Sequence, residues 1–333
     1  MGIFIPGIVD FQETHNTTTP NTTIPVNSFV ALGAETDIDA AFSPKGLGAL
    51  LADVPDNLAT GGNKRGTNAV DMQMSRALAT EVASGTNSTI GGGAANTASG
   101  AYACVPGGGS CIASGSASMC AGSGTVASGN GAFAVGTNAT AAGHGSCAIG
   151  NTTYAGGLNS FACGAVATAG REYSIATGYY SNASVVAKRV HGGGIFATTG
   201  DAQEGSLPQF TTTVNATPTI LTVGGLSAGI YTTDTLPNNS AFALNGLVVA
   251  RSSTGVSSAW RISGLVKRDV GAATTALVGA ATVTLIAQDA GAVTWAVTLI
   301  ADTTLGSAEI QVTGAAATTI RWFANLESSE VGY

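Results

Sequence analysis

The apolar positions of this chain follow two rhythms. Between Ala83 and Ala183 they recur at a spacing much longer than a helical or strand period. Ala-Ser-Gly begins at Ala83, Ala98, Ala113 and Ala127, and loosens at Ala141, Ala155 and Ala169 before a last Ala183. The first two steps are 15 residues and the next five are 14. A fixed period of this size marks a repeat architecture. Six residues after each Ala stands a mostly apolar column: Thr89, Cys104, Met119, Phe133, Cys147, Phe161 and Ile175. Eight residues after it stand Gly91, Pro106, Ala121, Val135, Ile149, Cys163 and Thr177. In an extended chain these two positions point the same way. The pattern predicts that they face the core, with the small residue between them outward. Gly122, Gly136, Gly150, Gly164 and Gly178 follow, where the chain is free to turn. Each unit therefore predicts one coil of two short strands and two corners, paired in parallel with the next. A flexible Gly/Ser linker has no reason to keep Phe, Ile, Val and Met in register. So thin a coil cannot bury its own face. It needs neighbours above, below and beside it, and three chains side by side would supply them.

The second rhythm is alternation. Phe242–Ala250, Trp260–Lys267, Val293–Leu299, Ile310–Val312 and Ile320–Leu326 read as strands. Turn residues at Pro237-Asn238-Asn239, Gly255, Gly271, Asp289-Ala290-Gly291 and Gly314 separate them. Some eight strands with no helical period predict an antiparallel β-sandwich of jelly-roll type, with Trp260, Trp295 and Trp322 as core anchors. Before the repeats, Asn16–Pro25 reads as an extended polar arm. Val70, Met74, Leu78 and Val82 recur every four residues, so 68–82 is either a helical neck or an irregular extended segment. After Ala183 the residue pattern fails. Lys188-Arg189-Val190-His191 reads as a solvated basic transition and Gly200–Gly205 as a turn. The expected fold is all-β. A trimeric parallel β-solenoid (β-roll) of 14–15-residue rungs at 81–190 lies between an N-terminal region, 1–80, and a β-sandwich, 191–333.

Composition narrows the function. Only 9% of the 333 residues are charged, and the net charge of −7 argues against nucleic-acid or anionic-membrane partners. No apolar run is long enough for a membrane-spanning helix, and Met1–Pro6 lacks the form of a signal peptide. Cys104, Cys111, Cys120, Cys147 and Cys163 all lie in the repeats and show no Cys-x-x-Cys spacing. They read as free thiols acting as small core residues, in a chain assembled in a reducing cytoplasm. His15, His144 and His191 are scattered, and no catalytic or metal motif is present. Asp201 and Glu204 are the one suggestive acidic pair outside the N-terminal region, and a turn explains them. The expectation is no catalytic, cofactor or metal residues and no enzyme. Glycan cleavage by paired carboxylates is the competing reading.

The 14-residue rungs resemble the head repeats of trimeric autotransporter adhesins, which stack as a trimeric β-roll. The chain lacks that family's signal peptide and four-stranded membrane anchor. Taken whole, it is similar to virion fibre proteins of tailed bacteriophages. The residues that carry this are Pro44–Gly48, Gly61–Gly66 with Ala69–Gln73 and Ser75-Arg76, then Val82–Gly85 running into the rungs. Gly200–Gln203, Ala301–Thr304 and Thr319–Trp322 carry it at the C-terminal end. The resemblance implies a homotrimer located on the virion. Residues 1–80 would attach to another virion protein (capsid, tail or adaptor), and a distal tip would meet a host surface; the Ser/Thr/Asn-rich composition makes a host-surface glycan, met through residues 206–333, the expected ligand. Capsid decoration with no receptor is the alternative within that family.

Overall fold

The computed structural model describes residues 11–16, 26–31 and 42–333, the first two segments as strand backbone only. Phe11–Asn16 and Val26–Ala31 pair antiparallel. Residues 17–25, most of the expected polar arm, lie outside the described residues.

A parallel ladder runs through Leu50–Leu51, Val70–Asp71, Thr89–Ile90 and Cys104–Val105. It continues through Met119–Ser123, Phe133–Thr137, Cys147–Asn151, Phe161–Ala165, Ile175–Tyr179 and Arg189–Gly193. A second ladder of two-residue strands runs from Thr97–Ala98 to Asn182–Ala183. The chain is an all-β solenoid, as the period predicts. Parallel pairing also reaches N-terminally of residue 81, into longer coils. There is no helix over 68–82. Val70–Asp71 is a strand, Ser75 bridges Ala94 in parallel, and the rest is irregular chain with a turn at 79–80, so the irregular extended reading holds.

The direction of the apolar columns is the reverse of the expectation. The coil interior is lined by the first Ala of each unit, Ala83 to Ala183, and by Ile90, Val105, Cys120, Ala134, Ala148, Ala162 and Ala176, all fully buried. Phe133, Val135, Cys147, Ile149, Phe161, Cys163 and Ile175 stand on the outer face, half-buried. The two sheets of a coil lie too close together for large side chains, so Ala fills the inside and the bulk turns out. Ser88, Ser118, Ser146, Ser160 and Ser174 also face inward. Each donates its hydroxyl to a carbonyl three residues back at 2.6–2.8 Å, which satisfies a polar group in a dry core. All five cysteines are free, but only Cys111 and Cys120 are core residues. Burial pushes the Cys120 thiol up to about 12.

The first coils are longer and have a polar interior. Arg65 Nε lies 2.7 Å from Asp71 Oδ2, and Arg76 lies 3.5 Å from Asp53. Gln73 donates to the Glu81 and Asn96 carbonyls and accepts the Asn96 N–H. The polar residues of the Gly61–Arg76 stretch thus fill the wide coils beside the end of the apolar core at Ala69.

The C-terminal region has seven long strands: β1 (Ala202–Thr213), β2 (Ser240–Ser252), β3 (Ser257–Arg268), β4 (Thr282–Gln288), β5 (Ala296–Asp302), β6 (Ser307–Thr313) and β7 (Ile320–Gly332). One sheet has the order β1-β7-β2-β3-β4. The other pairs β6 with β5, Thr219–Ile220 and Asp234–Thr235. The core between them holds all three tryptophans. Trp322 lies 5.7 Å, centroid to centroid, from both Trp260 and Trp295. The last shaft strand, Arg189–Gly193, pairs antiparallel with β1. The shaft ladder and the larger tip sheet are therefore one continuous sheet.

The Lys188–His191 stretch is also corrected. The backbone period survives one rung beyond the sequence pattern, since Arg189 pairs with Ile175 and His191 with Thr177. Lys188 follows Ser174 in the inward column and is buried, not solvated. Its ammonium lies 2.8 Å from Asp234 Oδ1 and 2.5 Å from Glu330 Oε1. Residue types change there because this rung packs on the tip instead of on another coil.

Candidate functional site

The continuous sheet presents one outer face, and its register sets what lies along it. Two shaft columns, Met119–Phe133–Cys147–Phe161–Ile175–Arg189 and Ala121–Val135–Ile149–Cys163–Thr177–His191, run straight on into the tip. The first continues through Ser206, Glu327, Asn245 and Ser263; the second through Glu204, Ser329, Ala243 and Leu265. The face is apolar along the shaft and charged at the junction. A cleft of about 620 Å³ there is lined by Arg189, His191, Glu204 and Glu327 among others. None of these four forms an ion pair among the described residues, although both signs are present.

Further along the tip strands, away from the shaft columns, the same face carries three more rows. Pro208, Asn325, Leu247, Arg261 and Thr284 make one. Phe210, Phe323, Val249 and Ala259 make the next. Thr212, Arg321, Arg251 and Ser257 make the last. Phe210, Phe323, Val249 and Leu247 are 46%, 47%, 50% and 56% exposed. Two clefts of about 320 and 360 Å³ flank the Arg251–Arg321 pair.

Of the residues on this face the sequence reading weighed only Glu204 and His191 as site residues, and none of the tip rows. It sees alternation along each strand, but not the cross-strand register that lines Arg251 up with Arg321. Nor does it bring the histidines together. His144 is exposed at a corner of the shaft, and His191 Nδ1 lies 3.0 Å from Thr177 Oγ1. Asp201 lies in the turn, as expected, but the expected turn at Gly200–Gly205 is corrected, because Ala202, Gln203, Glu204 and Gly205 already belong to β1. The Asp201 carboxylate accepts the N–H groups of Phe196, Ala197 and Thr198. Burial works to raise its pKa, but the bonds from Thr198, Phe196 and Ala197 outweigh it and hold it below the ordinary 3.8. Glu204 points outward at the junction instead of pairing with Asp201.

A buried charge cluster lies behind this face. Two carboxylates, Asp234 and Glu330, share the single ammonium of Lys188. Ser328 Oγ and Gln203 Nε2 donate to Glu330 at 2.5 and 2.7 Å. Burial raises the Asp234 carboxyl, the Lys188 charge lowers it less, and Glu330 raises it further. Burial also opposes the Lys188 charge, but the two acids overcome it and raise its pKa above 10.5. The cluster joins the last rung to β7 and to the Asp234–Thr235 strand, and it is closed to solvent.

No protein-family model matches this chain, and no curated protein matches it. Among solved structures it is similar to a tailspike, gp49 of Acinetobacter baumannii bacteriophage Fri1, a capsular polysaccharide depolymerase. The alignment has 9% identity and a TM-score of 0.22, and covers 86% of this chain and 48% of that one. This chain thus spans about half the length of that tailspike. The expectation that the chain is no enzyme is corrected here, since the solved structure it is similar to is a capsular polysaccharide depolymerase. At this TM-score the likeness carries no argument for a shared active site. The established class is an all-β protein with a parallel solenoid followed by an antiparallel sheet region.

Proposed function

We propose that the chain is a homotrimeric fibre or spike of a tailed-phage virion that contributes to host-surface attachment. One observation supports this above the rest. The larger apolar side chains of the rungs from Met119 to Ile175, Met119, Phe133, Val135, Cys147, Ile149, Phe161, Cys163 and Ile175, stand on the outer face, while the coil interior from Ala127 to Ala183 is built of Ala, Ser, Thr and Gly. An isolated chain leaves this stripe in water over at least five rungs, and a stripe of that size marks a protein–protein interface. Copies packed in register bury Phe133, Val135, Ile149, Phe161 and Ile175 against one another, which supplies the core a single coil lacks. In this reading residues 1–80 hold the virion and the tip faces outward. Three tips on one rod turn weak contacts into lasting ones through effective concentration.

Replacing Phe133 and Phe161 together with Asp should convert the assembly to single chains, read by sedimentation velocity. These side chains stand outside the coil interior, so folding within each coil should persist by circular dichroism. The attachment role is tested by competition. Immunogold should place the chain on the particle, and an excess of purified full-length chain should block adsorption of that phage. Labelled particles whose adsorption is unaffected by the excess would overturn attachment.

A further inference from the structure

We infer that the lateral end of the tip's outer face, around Arg251 and Arg321, binds a carboxylate-bearing sugar of an acidic polysaccharide. This rests on the attachment reading and names its ligand class. Arg251 and Arg321 are direct cross-strand partners, and both are exposed. Like charges directly opposite each other on neighbouring strands repel. In a chain with only 12 Lys and Arg and a net charge of −7, the pairing is not a by-product of a basic surface. No acid relieves it, since neither flanking cleft is lined by Asp or Glu. Arg251 NH1 is held by Ser257 Oγ at 2.9 Å. Asp289 accepts the Ser257 N–H at 2.8 Å and forms no ion pair with Arg251. Arg251 thus leans toward the Ser257 side of its strand, and the nitrogens it does not spend there, with the Arg321 guanidinium, line two clefts that hold no acidic side chain.

The surroundings select the rest of the ligand. One row away, Phe210, Phe323 and Val249 form a half-exposed apolar shelf, which suits the C–H face of a pyranose ring. Ser253, Thr319 and Thr212 rim the same clefts and suit ring hydroxyls. A carboxylate on a flat, hydroxylated ring matches forks, shelf and rim together, and guanidinium binds carboxylate with paired hydrogen bonds. Position favours access as well. The arginine row lies six residues along the strand from the row that continues the shaft column. At about 3.3 Å per residue that is roughly 20 Å to the side of the line where copies would pack.

The test uses the full-length chain with polygalacturonate, hyaluronan and polysialic acid, and with neutral dextran and poly-glutamate as comparisons. The wild type should bind at least one acidic polysaccharide in a salt-sensitive way, and dextran not at all. Arg251→Ala/Arg321→Ala should weaken that binding by about tenfold or more with native mass and melting temperature unchanged. Phe323→Ala should weaken it without altering the salt dependence. No binding to any of the three, undiminished binding by the double variant, or equal binding to poly-glutamate would each overturn the site. If adsorption competition persists in those cases, the attachment reading stands and only the site falls.

Discussion

Replacing Lys188 with Met should destabilise the fold by about 3–5 kcal/mol, the usual cost of removing one partner from a buried ionic group. Met matches the stem of Lys but leaves Asp234 and Glu330 facing each other in the dry junction without a cation. The measurement is the denaturant midpoint of the variant against wild type. Adding Asp234→Asn and Glu330→Gln to Lys188→Met should recover a large part of the loss. A double-mutant coupling near zero would mean that the cluster is solvated and its geometry irrelevant. The cluster also sets a pH dependence. The Asp234 carboxyl is raised, so its contribution is present below the unfolded carboxylate's pKa and is lost as pH rises through the raised value. Lys188 is raised above 10.5, so its contribution holds through neutrality and is lost only in strong alkali. Asp201 is lowered, so its contribution is present above 3.8 and is lost as pH falls through its folded value. Acid should therefore loosen the turn at 196–201 before it loosens the lysine cluster. Amide exchange of Phe196, Ala197 and Thr198 from pH 5 to pH 2 measures this.

Gly150→Val should cost about 4 kcal/mol or more and break the shaft. Gly150 has φ +127°, which an L side chain rarely adopts, and a Cβ there would collide with the Gly164 carbonyl oxygen in the next coil. The same stack repeats at Gly136 and Gly164, so the coil cannot shift to one side. Gly131→Ala is the control. Its φ is +64°, but nothing lies within 4 Å of the new Cβ, so only the left-handed backbone cost of about 1–2 kcal/mol applies. If the two variants melt alike, close coil stacking is not what constrains the glycine column.

Although β4 and the start of β1 went unread and β5 sits three residues further on than expected, the period, the strands at 242–250, 260–267, 310–312 and 320–326 and the tryptophan core were legible because they depend on local spacing. The facing of the columns was not. Alternation separates two faces but does not say which is inside, and here Phe133 and Ala134 are both plausible core residues. Coil width decides between them, and width belongs to the pairing of two ladders, not to one unit. Lys188 was misread for a related reason: its charge hid its place in the Ser174 column. Arg251 and Arg321 meet only through the β2–β7 register, which joins residues 70 positions apart. No pattern within either strand reveals it.

The central claim is that the outer apolar columns are buried between three copies. The most direct measurement is the native mass of the purified full-length chain by light scattering at low micromolar concentration. The account predicts three times the chain mass of 32.6 kDa, in an assembly that withstands mild denaturant. A stable, folded single chain with Phe133, Ile149 and Phe161 left in water would contradict it.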